Sequence, residues 1–296
     1  MKLLQAFVGW AILLTIVLTS CKPSGSNTSS IDFSTIDTTQ IVSFVNPLDT
    51  TGDGLPIFYN MYLSVEVSTL FKNANVVFAE DILNKTEKIT DYITSDQKAL
   101  NLGVYAVDLT YARSFEQFEI AGFYLKAMQE LALQLGIPSE YFNTVASRLE
   151  DNINDKDSII KIANEVYSKT EEFLQGNERY ATSALVILGG WIEAIYIAGK
   201  VAVESESVEI IERYADQKHS LANVLILLEQ CKSDEVVRSY LEEMKELKLE
   251  FDKLEVTFSA NDNPESENFE KKLGNYLDQI KLIQEKVFAL RSKIVT

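Results

Sequence analysis

Three polar side chains at regular spacing mark the part of the chain best suited to binding chemistry. Tyr105, Asp108 and Tyr111 recur every third residue among apolar neighbours, within NLGVYAVDLTYARSF, and residues three apart share one face of a helix. A carboxyl group in such surroundings must find hydrogen bonds or keep a proton. Two interpretations follow. Asp108 belongs to a ligand site walled by the two tyrosines, or it ties neighbouring helices together through a hydroxyl group or a cation such as Arg113.

A second cluster lies in the apolar stretch of residues 181–199, where the one charged residue is Glu193, between Trp191 and Tyr196. The stretch is almost long enough to span a membrane, but an acid at the centre of a membrane helix costs about 2.5–3.5 kcal/mol. A helix buried on all sides in a bundle is therefore the better interpretation. We expect Glu193 to pair with a cation from another helix or to hold a proton. The cluster is then either a ligand site or a satisfied pair in the core.

The chain is poor in metal ligands. It contains one histidine, His219, and, apart from Cys21, one cysteine, Cys231, which are too few for a zinc site. Asp216 lies one turn before His219, as in the carboxylate bundles that bind two metal ions, but those bundles need several such pairs. We predict no metal and no cofactor.

The common signatures of catalysis are missing from the sequence. It has no Gly-rich phosphate loop after a strand and no Gly-x-Ser-x-Gly elbow, and neither Cys231 nor His219 has the neighbours of a nucleophilic dyad. No catalytic residue is predicted, and an enzyme is disfavoured. Because serine–lysine or carboxylate-pair catalysis leaves weaker traces, a hydrolase of unrecognised type stays open as an alternative.

The first twenty residues have the pattern of an export signal. Lys2 is followed by an apolar run, residues 6–18, which is too short to span a bilayer and ends just before Cys21. The ending Leu-Thr-Ser-Cys resembles the bacterial lipoprotein signal, in which the cysteine is acylated after cleavage; the alternative is an ordinary secretory signal with a chance cysteine. We predict a signal peptide over residues 1–20 and lipid attachment at Cys21. No acidic run follows the cysteine, which favours the outer membrane, facing the periplasm.

The lipoprotein signal, together with NLGVYAVDLTYA and LGGWIEAIYIAG, resembles a group of uncharacterised helical lipoproteins of Bacteroidetes-type bacteria. The likeness covers roughly residues 92–230. It implies an envelope location and a helical architecture, and it brings no activity, cofactor or catalytic residue.

The acidic composition limits the classes of partner. The formal net charge is −17 at pH 7, so nucleic acid and anionic lipid headgroups repel the chain. We expect no nucleic-acid partner, and contact with a membrane only through the N-terminal lipid. A basic patch on an envelope protein or a cationic ligand is a better match, although acidity also serves solubility.

The remainder of the chain divides into a tether and a domain. Residues 21–55 are rich in Ser and Thr and then in Pro and Gly, which predicts a flexible tether and a transition. Residues 56–296 carry helical periodicity, with Gly and Pro mainly at joints, and predict an all-α, multi-helix bundle of about nine to ten helices. We place these helices near 57–73, 75–93, 96–112, 114–135, 138–150, 156–175, 179–203, 205–231, 233–259 and 264–294.

Some helix starts carry specific signals. Ser114 with Gln117 matches a capping box, and Asn263 before Pro264 suits an N-cap followed by the first helical residue.

The last two predicted helices, within residues 233–296, have the clearest periodicity. Each carries an apolar stripe whose members are alternately three and four residues apart, the spacing of coiled-coil contacts. We therefore predict that the domain ends in an antiparallel, coiled-coil-like hairpin. The stripes are Val237, Tyr240, Met244, Leu247, Phe251, Leu254 and Phe258, and then Phe269, Leu273, Tyr276, Ile280, Ile283, Val287, Leu290 and Ile294.

These patterns leave two main hypotheses for the function. The first is a membrane-anchored envelope lipoprotein whose helices form a binding or scaffold domain for a partner protein. The second is a periplasmic small-molecule binder or sensor that uses the two polar clusters. A cavity shared by the clusters would favour the second hypothesis, and a solid core with an exposed apolar groove would favour the first.

Overall fold

The computed structural model describes residues 70–71, 73–140, 172–174, 176–258 and 262–296. All regular secondary structure within these ranges is helical, which confirms the all-α prediction. Two short 3₁₀ helices, Glu80–Ile82 and Thr86–Thr90, precede the first long helix. The α-helices are α1 (Ser95–Ser114), α2 (Phe118–Gln134), α3 (Tyr180–Ser205), α4 (Val208–Ala215), α5 (Gln217–Gln230), α6 (Glu235–Phe251) and α7 (Glu267–Val295).

Helix α3 lies at the centre of the bundle. It is the one helix of the described ranges that is long and apolar enough to cross a membrane, and 89% of its most apolar stretch is buried within the protein. Side chains such as Trp191, Ile192 and Ile195 are fully enclosed. This burial agrees with the interpretation of residues 181–199 as a core helix of a bundle.

Helices α1 and α3 cross with their backbones in contact. A Cβ atom added to Gly103 would overlap the carbonyl oxygen of Val186, and one added to Gly189 would overlap that of Leu100. Each glycine therefore allows an approach that a larger residue would block. The close crossing brings the polar residues of α1 next to those of α3.

The predicted helix over 75–93 is wrong. This stretch is an irregular segment that contains the two 3₁₀ helices, and it covers α1. The backbone N–H of Asn84 donates to Asp108 (3.1 Å), and that of Ala79 donates to the Tyr111 hydroxyl (3.2 Å). Side chains of α1 thus satisfy backbone groups that an α-helix would have satisfied internally. We call residues 79–92 the covering segment.

The predicted helix over 205–231 is divided into α4 and α5, which are separated at Asp216. Helix α3 ends at Ser205, and Glu206 follows in the left-handed conformation with φ 49°. Because a left-handed residue turns the chain away from the helix axis, α4 can fold back and bury Ile210 and Ile211.

The predicted helix over 233–259 is too long at its C-terminal end. Helix α6 stops at Phe251, where the N–H of Leu254 bonds to the Phe251 carbonyl (3.0 Å). Leu254 is nevertheless fully buried, and the N–H of Thr257 donates to the Tyr276 hydroxyl (3.1 Å). A chain without regular secondary structure thus continues the apolar spacing after the helix has ended, and the spacing alone did not reveal the change.

The predicted capping box at Ser114 is also wrong. Ser114 is the last residue of α1 and donates to the Tyr111 carbonyl (2.7 Å), while Gln117 at the start of α2 makes no side-chain capping bond. A complete capping box is formed instead by Thr94 and Gln97 at the start of α1.

The start of α7 differs from the prediction by three residues. The N-cap is Ser266, whose hydroxyl accepts the N–H of Phe269 (3.2 Å), and not Asn263. Asn263 instead accepts the N–H of Glu265 (3.1 Å) in the turn before the helix. Serine and asparagine side chains both accept hydrogen bonds from nearby backbone N–H groups. Ser266 is the N-cap because it lies closer in sequence to the apolar stripe of the helix.

Several predictions lie outside the described residues. These are the signal peptide, Cys21, the tether, most of the helix near 57–73 and most of the helices near 138–150 and 156–175.

Candidate functional site

A buried ion pair joins the centre of α3 to the C-terminal part of α7. Arg291 donates from Nε and Nη2 to the two carboxylate oxygens of Glu193, at 2.6 and 2.7 Å. Glu193 is fully buried, and Arg291 is 8% exposed. Glu193 therefore pairs with a cation from another helix, which was one of the two expectations for this acid. A two-pronged contact of this kind is the geometry in which arginine binds carboxylates most strongly.

Asp108 of α1 lies beside this ion pair and is fully buried. Its Oδ2 accepts the N–H of Asn84 (3.1 Å), whereas its Oδ1 receives no hydrogen bond within the described structure. Burial raises the pKa of Asp108 well above its usual range, and the Glu193 charge raises it further. The Arg291 charge and the Asn84 N–H oppose this effect without cancelling it.

The covering segment closes this site through Asn84, which forms hydrogen bonds with four other residues. Its side-chain amide donates to the Tyr92 hydroxyl (2.9 Å) and to Asn101 (3.2 Å), and its carbonyl accepts the Tyr124 hydroxyl (3.0 Å). Asn84 thus connects the covering segment with α1 and with α2. These bonds fix the position of the covering segment on the two helices.

The C-terminal turn of α7 completes the network. Arg291 also donates to the Ile82 carbonyl (3.0 Å), and the Asn101 amide donates to the Ile294 carbonyl (2.7 Å). Lys88 of the covering segment donates to the Val295 carbonyl (2.7 Å). These bonds satisfy carbonyl groups that the end of a helix leaves open.

Tyr105 belongs to the same network and is fully buried. Its hydroxyl donates to the Lys85 carbonyl (3.0 Å) and lies 3.5 Å from the Tyr92 hydroxyl. Burial raises the pKa of Tyr105, and also that of Tyr124 and of Tyr92. These phenols therefore stay neutral and act as hydrogen-bonding groups.

Tyr196 forms the wall on the other side of the ion pair. The Arg291 guanidinium lies over the Tyr196 ring, 4.2 Å from its centroid. The centroid of the Phe288 ring is 6.4 Å from that of Tyr196. A cation over an aromatic face gains a further attraction where water is excluded. We call Asp108, Glu193 and Arg291, together with Asn84, Tyr105 and Tyr196 around them, the polar layer.

The two remaining predicted site residues lie elsewhere. The Tyr111 hydroxyl accepts the N–H of Ala79, and its ring packs against Phe78 (5.4 Å). Trp191 donates to the Ser220 hydroxyl (3.0 Å) and packs against the apolar side of α6. The structure thus brings together Tyr105, Asp108, Glu193 and Tyr196 from the two sequence clusters and leaves Tyr111 and Trp191 apart.

Sequence reasoning missed Arg291 and proposed Arg113 as the cation for Asp108. Arg113 instead lies over the Phe118 ring, 4.3 Å from its centroid. A signal for Arg291 exists in the sequence, because it follows Val287 by four residues and so lies toward the buried face of α7. Asn84 was missed because the segment around it was taken for a helix.

The arrangement offers little for metal or nucleophilic chemistry. No group of three or more His, Cys, Asp and Glu side chains that could hold a metal ion occurs in the part of the chain that the structure describes. Both oxygens of Glu193 are occupied by Arg291. Cys231 is buried, and burial raises the pKa of its thiol, which disfavours the reactive thiolate. The polar layer is suited to join helices and to bind a proton.

A scan against protein-family models, a search of curated proteins and a search of solved structures each found no match to this chain.

Proposed function

We propose that this protein is a lipid-anchored protein of the bacterial cell envelope whose helical domain serves as a binding or scaffold module. The main support is that the polar residues of the core contact one another and the surrounding backbone. Tyr105, Glu193 and Tyr196, which could have bound a ligand, are engaged with other groups of the protein. The domain's interior thus favours a structural role, and binding is assigned to its outer surface.

The membrane link in this proposal is the lipid on Cys21. The signal pattern before Cys21 supports it, as does the resemblance to helical lipoproteins. Helix α3 is enclosed by the rest of the domain and is not needed as an anchor. Residues 21–55 act as the tether, and the domain faces the periplasm from the outer membrane.

The anchor is tested by replacing Cys21 with Ser. Because acylation requires the cysteine sulfur, we expect the variant to lose incorporation of a fatty-acid label and to leave the membrane fraction or remain uncleaved. Each buried methylene of a lipid contributes about 0.8 kcal/mol to membrane binding, so the change in fractionation is large. The matched control is Cys231→Ser, which should keep the label. Membrane retention of a correctly cleaved Cys21→Ser protein would contradict the proposal.

We also propose that the complete domain has about nine to ten helices and that α6 and α7 pair as an antiparallel hairpin. Contacts at both ends support the pairing. Lys293 bonds to Glu243 and Lys286 lies 4.0 Å from Glu246, whereas Thr257, beyond the other end of α6, bonds to Tyr276. In these contacting pairs the residue number rises along α7 as it falls along α6, which is the order expected of antiparallel helices.

The binding surface is assigned to the outer faces of these helices. Phe123 on α2, Leu249 on α6 and Leu282 on α7 are 55%, 61% and 57% exposed, and exposed aromatic and aliphatic side chains are common anchors of interfaces. The strongly acidic chain favours an envelope protein with a basic patch as the partner.

The partner is tested with a photoreactive amino acid placed at Phe123, Leu249 or Leu282 of the full protein in intact cells. We expect at least one position to give the same cross-linked protein in repeated experiments. Glu130, an exposed polar position on α2, provides the matched control. If none of the three positions gives more cross-linking than Glu130, the surface assignment is wrong.

The alternative of a small-molecule binder or sensor uses the same polar layer. It is favoured by one observation, the Asp108 oxygen that receives no hydrogen bond. Native mass spectrometry of the purified protein distinguishes the two functions, because a bound molecule that disappears in an Asp108→Asn variant would support the alternative.

A further inference from the structure

The charges of the polar layer do not balance. Asp108 and Glu193 are both fully buried. Among the described residues, the cation beside them is Arg291, whose guanidinium bonds to Glu193 and not to Asp108. If both carboxyl groups were ionised, the layer would hold one uncompensated negative charge away from water. Burial of an unpaired charge is so costly that a protein neutralises the group instead.

The hydrogen bonds show which of the two acids is the better proton carrier. Both oxygens of Glu193 accept from Arg291. Asp108 accepts from Asn84 through Oδ2 only, while its Oδ1 receives no hydrogen bond and its carboxyl group lies within hydrogen-bonding reach of Glu193. A proton on the Asp108 carboxyl group turns this contact between two acceptors into a hydrogen bond.

The other titratable groups around Asp108 do not supply the missing positive charge. Tyr92 of the covering segment, Tyr105 of α1, Tyr124 of α2 and Tyr196 of α3 face the layer, and burial raises the pKa of each phenol. They therefore remain neutral and supply no charge. The acids Glu80 and Asp81 on the covering segment add to the negative potential rather than relieve it.

We propose that the folded domain holds one proton between Asp108 and Glu193 at neutral pH, and that this proton makes the stability of the domain depend on pH. The proton stays on the Asp108 carboxyl group and is donated to Glu193, whose charge is balanced by Arg291. Loss of the proton places two carboxylates in contact inside the core. The layer is thus a proton-binding site that is coupled to folding.

The direction of the pH dependence follows from linkage. The pKa of Asp108 is raised in the folded protein, while in the unfolded chain it is about 3.9. Between these two values the folded state holds a proton that the unfolded state lacks. The contribution of Asp108 to stability is therefore fully present in acid and is lost as the pH rises. One linked proton changes the unfolding constant about tenfold per pH unit in this interval.

The test uses the full mature protein and an Asp108→Asn variant. An amide has nearly the shape of a protonated carboxyl group, can accept from Asn84 and can donate to Glu193. Infrared spectroscopy at neutral pH should show the carbonyl stretch of a protonated carboxyl group in the parent and not in Asp108→Asn. The control Asp278→Asn removes an exposed acid of α7 and should keep the band. Absence of the band in the parent, or its persistence in Asp108→Asn, would overturn the proposal.

A second measurement follows stability across pH. Above about pH 4, the unfolding constant of the parent should rise relative to that of Asp108→Asn by about tenfold per pH unit until the folded protein releases its proton. Parallel pH profiles for the two proteins would contradict the inference even if both fold normally.

Discussion

Helix α7 makes two kinds of contact in this protein. Toward α1, α3 and the covering segment it contributes Arg291, whose bonds are buried and directional. Toward α6 it contributes exposed lysines, Lys293 paired with Glu243 and Lys286 near Glu246. Ion pairs in water contribute little because solvent screens them, whereas a broken buried pair leaves a charge in the core. An ion pair between a basic residue of α7 and a glutamate therefore affects stability very differently when it is buried and when it is exposed.

The largest effect is expected from Arg291→Leu. The substitution leaves Glu193 buried without its cation and removes the bond to the Ile82 carbonyl, so we expect a loss of about 3–5 kcal/mol in the free energy of unfolding. Chemical denaturation measures it. The double variant Glu193→Leu, Arg291→Leu should recover much of the loss, because a buried pair can often be replaced by apolar residues at little cost. A double variant no more stable than the single one would show that the pair itself is not the cause.

The contact between α6 and α7 is tested by Leu247→Ala. Leu247 is fully buried, and truncation of a buried leucine costs about 2–5 kcal/mol. Leu249, two residues later on the same helix, is 61% exposed, so Leu249→Ala is the matched control and should change the midpoint of denaturation much less. Equal effects at the two positions would mean that both leucines contact a partner or that neither is in the core.

The smallest effect is expected from Glu243→Gln. The Lys293 and Glu243 side chains are 50% and 35% exposed, and exposed pairs of this kind typically contribute about 0.2–1 kcal/mol. Added salt should weaken the pair further in the parent and have no such effect in the variant. A loss as large as that of Arg291→Leu would remove the distinction between the two contacts of α7.

The sequence was sufficient for the parts of the fold that depend on local periodicity. The all-α class, the extents of α1 and α3 and the burial of Glu193 follow from apolar spacing and from the scarcity of charge around residue 193. The sequence also identified four members of the polar layer, because an acid or a tyrosine among apolar residues stands out.

The remainder depended on contacts between distant parts of the chain. The covering segment has helical spacing, but two of its backbone N–H groups bond to Asp108 and Tyr111 of α1, and no local pattern in the sequence indicates these bonds. Arg291 is one basic residue among several on α7, and its role appears only when α3 lies beside it. The end of α6 was missed because Leu254 continues the apolar stripe and is buried, although it lies outside the helix.

The bonds made by the C-terminal turn of α7 have a consequence for how the domain folds. Arg291 and Ile82 are 209 residues apart in sequence, and Lys88 and Val295 are 207 apart. Contacts of such high sequence separation form late, because the entropy of closing the long loop is lost before the contact contributes. We expect the layer to be completed in the last steps of folding, and fragments that lack either end of these bonds to keep their helices but not the closed core.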